Sequence, residues 1–282
     1  MTAAVPTDCT DFAPVSFAGR PAATLASAVT RYGRHTPGHE ARVAATLDRL
    51  QQAATRFAPR IVLASSLGAE DMVLTDLIAR HRLPIVIATL DTGTLHAETL
   101  ALVPRVEAHY GIAVERWAPP GGAVAAFVLR HGERSMFESI AQRQACCALR
   151  KLEPLARMLA SRCAWVTGLR RGQSAARAEV PDEATDDAGR TKLNPLAAWS
   201  EADVWHYIGV HGVPYNPLHD RFFPSIGCAP CTRAVALGED ARAGRWWWEQ
   251  ESTKECGLHK PHAQGRAEVT AGGAETQTSV PA

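Results

Sequence analysis

Between residues 60 and 117 the chain alternates short β-branched runs with segments of helical periodicity, and this alternation restricts the fold more than any other feature. Residues 60–65 (RIVLAS), 84–90 (PIVIATL) and 112–117 (IAVERW) read as strands. Residues 70–80 and 96–110 between them read as helices. Strands that are apolar along their whole length, separated by helices, belong to a parallel sheet covered on both faces. One more strand is expected over 163–167 and an extended segment over 192–197. A helix from Glu40 places Val43, Leu47, Leu50, Ala54 and Phe57 on one face. A second, over 201–211, follows Ser200, an N-cap with Asp203 three residues on. The expected fold class is α/β, a doubly wound and mostly parallel sheet.

The spacing predicts four regions. Residues 1–36 have weak periodicity and are expected to be weakly ordered. Residues 37–245 form the α/β domain, 246–263 a C-terminal segment, and 264–282 a polar, disordered tail. Residues 212–235, rich in Pro and Gly, read as loop. Hydrophobic residues make up 46% of the chain, ample for one large core. No run of 18 apolar residues is present, so no membrane span is expected. A net charge of +1 favours no nucleic-acid stripe. The lack of a signal peptide, with unpaired thiols, implies a cytoplasmic location.

Four of the seven cysteines fall into two pairs, Cys146-Cys147 and the C-x-x-C of Cys228 and Cys231. Four thiolates suit zinc or an iron–sulfur cluster. ACCALRKLEPLARML reads as one helix, on which adjacent side chains point about 100° apart. Two such neighbours reach one tetrahedral zinc only with strain, so the pattern favours a 4Fe–4S cluster. The alternative, buried free thiols, is the better reading for a single Cys but not for two pairs beside Arg, Lys and Gly.

Two loops are candidates for ligand. Ser65-Ser66-Leu67-Gly68 joins a strand to a helix, where hydroxyls and a close-approaching backbone suit phosphate. It is neither a Walker A nor a dinucleotide loop, and reads equally as an N-capped turn. The Leu90–Asp91 strand end lies at the same sheet edge, Asp91 serving either ligand or helix cap. Arg150, Lys151, Arg170, Arg171, Arg177, Arg242 and Arg245 gather near the cysteine motifs or in a Gly-bearing loop, a pattern for a small anion. Cys256, in KECGLHK, has Lys254 and His259 nearby to raise its thiolate fraction. Beside a mobile Gly257 it suits a nucleophile, although alone it reads as an exposed tail cysteine. Cys163 reads as core, and Cys9 is given no role.

SSLGAEDMVL, LDTGTLH, CCALRKLEPL, TGLRRGQSAAR, LNPLA, YNPLHDRFFPSIGCAPCTR, AGRWWWE and KECGLH occur in that order from about residue 45 to 262. Together they resemble the assimilatory adenosine 5′-phosphosulfate (APS) reductases, the iron–sulfur branch of the phosphosulfate reductase family. The resemblance implies a fold like that of the ATP pyrophosphatases. It implies thioredoxin-dependent reduction of APS to sulfite and AMP through an S-sulfonated Cys256. It further implies a 4Fe–4S cluster on Cys146, Cys147, Cys228 and Cys231, with Lys151 between cluster and substrate. Arg177, Arg242 and Arg245 would hold phosphate and sulfate, His259 would assist, and Ser65, Ser66, Gly68, Leu90 and Asp91 would receive the nucleotide. Trp246–Trp248 would pack the C-terminal segment. Relatives are often tetramers.

Leu67 stands where many relatives carry a small polar residue, which leaves the first loop to touch nucleotide through its backbone. The nearest rival is a reductase of the 3′-phosphorylated substrate or of both, but that branch generally lacks the cysteine pairs. An ATP pyrophosphatase would need an S-G-G-x-D-S loop, absent here. A zinc-binding interaction module leaves the E-C-G-x-H tail unexplained.

Overall fold

The computed structural model describes residues 26–250. Its strands are β1 (Ile61–Ser65), β2 (Val86–Leu90), β3 (Val114–Trp117), β4 (Ala164–Val166), β5 (Glu183–Thr185) and β6 (Thr191–Leu193). They form one sheet in the order β3-β2-β1-β4-β6-β5. Every pairing is parallel except the β5–β6 hairpin. The mostly parallel α/β architecture expected from the sequence is the one observed. The helices are α1 (Ala28–Tyr32), α2 (His39–Phe57), α3 (Ala69–Arg80), α4 (Ala97–Tyr110), α5 (Gly121–His131), α6 (Ile140–Cys147), α7 (Glu153–Leu159) and α8 (Glu201–His211).

The uniformly apolar strands follow from burial on both faces. Successive side chains of a strand point to opposite sides. Ile61, Leu63, Ile87, Val114 and Val166 join one core with Leu50, Leu77, Leu102 and Ile208. Val62, Ala88 and Trp165 join a second with Met158 and Leu159 of α7. Fully burying one such aliphatic side chain contributes about 1.5–3 kcal/mol, so a charge at Val62 or at Leu63 breaks one core or the other.

The α8 cap is as expected: Ser200 Oγ accepts from the Asp203 N–H at 3.1 Å, and Asp203 Oδ2 accepts from the Ser200 N–H at 2.8 Å. Asp203 also accepts from Arg42 at 2.9 Å, which ties α8 to α2.

The structure departs from the sequence reading in several places. Residues 28–32 lie within the segment expected to be weakly ordered, yet form α1. Its Ala28 is fully buried, and the Ala28 N–H donates to Asp220 Oδ1 at 2.7 Å. Helix α5 buries none of its residues, so no amphipathic period marked it. Strand β5 is a three-residue edge without a buried face. Within 212–235, read as loop, short 3₁₀ turns form at Pro217–Arg221 and Ala229–Cys231.

Candidate active site

Cys146, Cys147, Cys228 and Cys231 line one small cavity, together with Arg143 and Arg150. Four long-range contacts bring the two pairs together. The Ala229 N–H donates to the Thr94 carbonyl at 2.7 Å, and Leu95 bridges to Cys228. Thr92 Oγ1 lies 3.3 Å from Cys228 Sγ. Arg150 Nη1 donates to the Thr92 carbonyl at 2.8 Å, fixing the same turn from the other pair's helix. The loop after β2, read above as a nucleotide element, is therefore the platform for the C-x-x-C.

Cys146 and Cys147 end α6, and one π turn, Ala148–Leu152, leads into α7. The continuous helix expected through this region is interrupted by that wide turn, a device frequent at functional sites. Lys151 sits in the turn and lines both the thiol cavity and a much larger neighbour. Burial pushes the Cys231 thiol up to about 12, with Cys228 adding to the rise. Burial also raises Cys146, although Arg150 opposes it. Burial opposes ionisation of Cys228 too, but Lys151 and the Thr92 hydroxyl outweigh it and hold that thiol below its ordinary value.

The larger cavity, about 300 Å³, lies at the carboxyl ends of β1, β2 and β4, where open α/β sheets bind ligand. Lys151, Arg177, Arg242 and Arg245 all line it. Leu90, Leu155 and Trp165 give it an apolar wall. Arg245 is 8% exposed, and its Nε has no hydrogen-bond partner. Its Nη1 makes only long contacts, 3.4 Å each, to Ser225 Oγ and the Ile226 carbonyl. A buried guanidinium so weakly satisfied is a ready anion site. Gly227 makes room for it: a Cβ there would stand 2.4 Å from Arg245 Nη2.

The first loop turns several of its polar groups inward. Ser65, Ser66 and Gly68 line the cavity, but the loop's own side chains take their polar groups. The Ser66 N–H and Oγ–H both donate to Asp71 Oδ2, at 2.6 and 2.7 Å. The Leu67 N–H donates to Ser65 Oγ at 3.1 Å, and the Gly68 N–H makes a long contact with Ser66 Oγ at 3.4 Å. Leu67 is buried, with a left-handed φ of 60°. Asp71 is buried and carries a pKa pushed up to about 6 by that burial, against the Ser66 hydrogen bonds. An internal Asp71 turn engages the Ser66 N–H and hydroxyl, while Ser65, Ser66 and Gly68 stay on the cavity wall. Asp91 is likewise spent on a turn, accepting the Gly93 N–H at 2.9 Å, and is not among the lining residues.

Two residues that sequence reasoning missed stand at the site. Arg143, one turn before the Cys pair, is buried beside the thiols. His219 is buried in the cavity wall against Trp205. The sequence signal for Arg143 was its place beside the Cys-Cys motif, and for His219 its place inside YNPLHDRFFPSIGCAPCTR. Cys256 and His259 lie outside the described residues.

A model of the phosphoadenosine phosphosulfate reductase domain matches residues 60–234. The chain belongs to the phosphoadenosine phosphosulfate reductase family. The matched stretch includes all four paired cysteines, Lys151, Arg177 and His219. Within the family, the chain is 59% identical over 220 residues to the adenosine 5′-phosphosulfate reductase of Allochromatium vinosum, covering 78% of this chain and 86% of that one. It is 52% identical over 221 residues to the enzyme of the same name from Burkholderia cepacia, covering 77% and 88%. Among solved structures, it resembles the phosphoadenylyl-sulfate reductase of Candida auris in its phosphate complex. That likeness has a TM-score of 0.56 at 27% identity, over 70% of this chain and 94% of that one. Yeast FAD synthetase, at a TM-score of 0.51 and 14% identity over 73% of each chain, shares the fold alone.

Proposed function

We propose that the chain reduces adenosine 5′-phosphosulfate to sulfite and AMP, with thioredoxin as reductant. The observation that carries the reading is the placement of Lys151. It belongs at once to a four-thiol cavity and to a nucleotide-sized cavity lined by Arg177, Arg242 and Arg245. The names of relatives at 59% and 52% identity support APS as the substrate.

The Cys256 thiolate attacks the sulfur of APS, forming an S–S bond as the S–O bond to AMP breaks. AMP leaves with that electron pair. A thioredoxin thiolate then attacks Cys256 Sγ, and sulfite departs with the pair of the broken S–S bond. The second thioredoxin thiol resolves the mixed disulfide, so thioredoxin supplies both electrons and Cys256 returns as thiolate. Arg242, Arg245, Arg177 and Lys151 neutralise the phosphosulfate before attack. Leu90, Leu155 and Trp165 offer the apolar wall that a base needs.

The donor set of the smaller cavity, four cysteines flanked by Arg143, Arg150 and Lys151, fits a 4Fe–4S cluster of net negative charge. Among the described residues, no group of three His, Cys, Asp or Glu side chains is arranged for a single metal ion. A bound cluster supplies fixed charge and cross-linking at that point, and the reaction as written takes no electron from it.

The test is sulfite release by anaerobically purified protein from APS and from its 3′-phosphorylated form, with reduced thioredoxin. APS-selective release supports the reading. Preference for the 3′-phosphorylated form keeps the mechanism and transfers the specificity, and no sulfite from either overturns it.

A further inference from the structure

His219 is 3% exposed and borders the large cavity. Neither ring nitrogen has a hydrogen-bond partner of normal geometry. The Phe223 backbone lies near enough to favour its charged form but does not complete such a bond. Buried polar groups are otherwise almost always paired, and one that is not calls for an explanation.

The ring is not free to turn toward solvent. It packs edge-on against Trp205 at 5.0 Å between centroids. Its backbone is pinned in a 3₁₀ turn, where the His219 N–H donates to the Asn216 carbonyl at 3.1 Å. Burial drives its pKa down to about 4, so at neutral pH the imidazole presents one N–H and one lone pair. That combination is complementary to a hydroxyl, which also gives and takes one hydrogen bond. An anion suits this wall less. Glu70 and Glu201 line the same cavity, and Arg170 is committed to Glu70 at 2.8 Å.

The cavity's walls fix what reaches the ring. The lining includes the cations Lys151, Arg177, Arg242 and Arg245 and the apolar Leu90, Leu155 and Trp165. His219 and Trp205 stand on the α8 side of the sheet, which carries the opposite core from Trp165. In a nucleotide with its phosphosulfate on the cations and its base on the apolar residues, the sugar lies between the two, and His219 is a lining residue with both ring nitrogens unspent. Resting on the function proposed above, we propose that His219 is the hydrogen-bond partner of a ribose hydroxyl of the bound nucleotide, a positioning contact made by no other residue of the reading above.

The experiment compares AMP, 2′-deoxy-AMP and 3′-deoxy-AMP by calorimetry on the cluster-loaded full chain and on its His219→Phe variant. In the wild type, one deoxy analogue is expected to bind about tenfold more weakly than AMP, the loss of one hydrogen bond. In His219→Phe, AMP weakens by a similar factor and the difference between AMP and that analogue vanishes. Two results overturn the proposal: both analogues bind the wild type as AMP does, or the deoxy penalty persists at full size in the variant. Where His219→Phe fails to fold, His219→Leu replaces it. Failure of AMP itself to bind the wild type overturns the nucleotide reading as well. AMP binding without hydroxyl discrimination overturns the His219 contact alone.

Discussion

Arg143 and Glu249 form a bidentate ion pair across 106 residues of sequence, Nε to Oε1 and Nη2 to Oε2 both at 2.8 Å. Their side chains are 1% and 3% exposed. The Arg143 guanidinium also lies 4.8 Å over the Trp246 ring, and that of Arg245 lies 4.7 Å from the same ring. The helix that carries Cys146 and Cys147 is therefore joined to the strap that carries Arg242 and Arg245, shortly before the segment bearing Cys256. Thiol cavity and anion site are held as one unit.

Glu249→Ala leaves Arg143 charged and buried without its carboxylate, and should destabilise the fold by about 3–5 kcal/mol. The double replacement Arg143→Met with Glu249→Leu removes both charges and should cost distinctly less. Urea unfolding of the single and double variants checks this. Equal losses would mean that the pair contributes through shape, not charge.

Gly227→Ala places a methyl 2.4 Å from Arg245 Nη2 and 2.5 Å from its Cζ. A guanidinium end can swing aside, so the melting temperature should change little. The displaced cation should weaken AMP binding about tenfold, the value of one charge-assisted contact. Gly168→Ala is the contrast, since its Cβ meets Asp71 Oδ1 at 2.4 Å and Glu70 Cβ at 2.8 Å inside a buried turn. It should cost about 1–3 kcal/mol of stability. If Gly227→Ala binds AMP normally, Arg245 is not an anion ligand.

Cys256→Ser should abolish sulfite formation while sparing AMP binding and iron content. Lys151→Ala, at the junction of the two cavities, should lower turnover more than stability. Sulfite formation at the wild-type rate in either variant removes the role assigned to that residue. Mass spectrometry of the wild type incubated with APS and no thioredoxin should show a sulfonate on Cys256.

The buried His219 predicts an acid-sensitive fold. Its folded pKa is about 4, below the ordinary value near 6.5. Between those pH values the unfolded chain binds a proton that the folded chain does not. Stability contributed by neutral His219 is therefore present above pH 6.5 and lost as pH falls toward 4. Asp71, raised to about 6, acts in the opposite sense, its protonated form favouring the fold between about 6 and its ordinary value near 3.9. The His219 share is read from the difference: the fall in melting temperature from pH 7 to 5 should be smaller in His219→Phe than in wild type. An identical fall in both would show that His219 takes up protons equally in the two states.

The strands and helices nearest the site were legible because burial imposes a period. Residues 60–65 and 84–90 gave β1 and β2 nearly to the residue, since a strand buried on both faces has no polar position. The Ser200–Asp203 cap was legible because it is local. The internal bonding of the first loop was not legible, for the opposite reason. Ser65, Ser66 and Gly68 have the composition of a phosphate cradle, but composition does not reveal that Asp71 folds back to take the Ser66 N–H and hydroxyl. The turn that Asp91 makes with the Gly93 N–H was hidden in the same way.

The sequence by itself determined the sheet, the two cysteine pairs and the set of cations, because each is written as local periodicity or as residue type. Only the tertiary structure decided which of them meet. The loop after β2 docks onto Cys228, a π turn sets Lys151 between two cavities, Glu249 reaches Arg143, and His219 is buried without a partner. These are contacts between side chains far apart in the chain. Their geometry is set by how the two cores pack, and no local pattern encodes it.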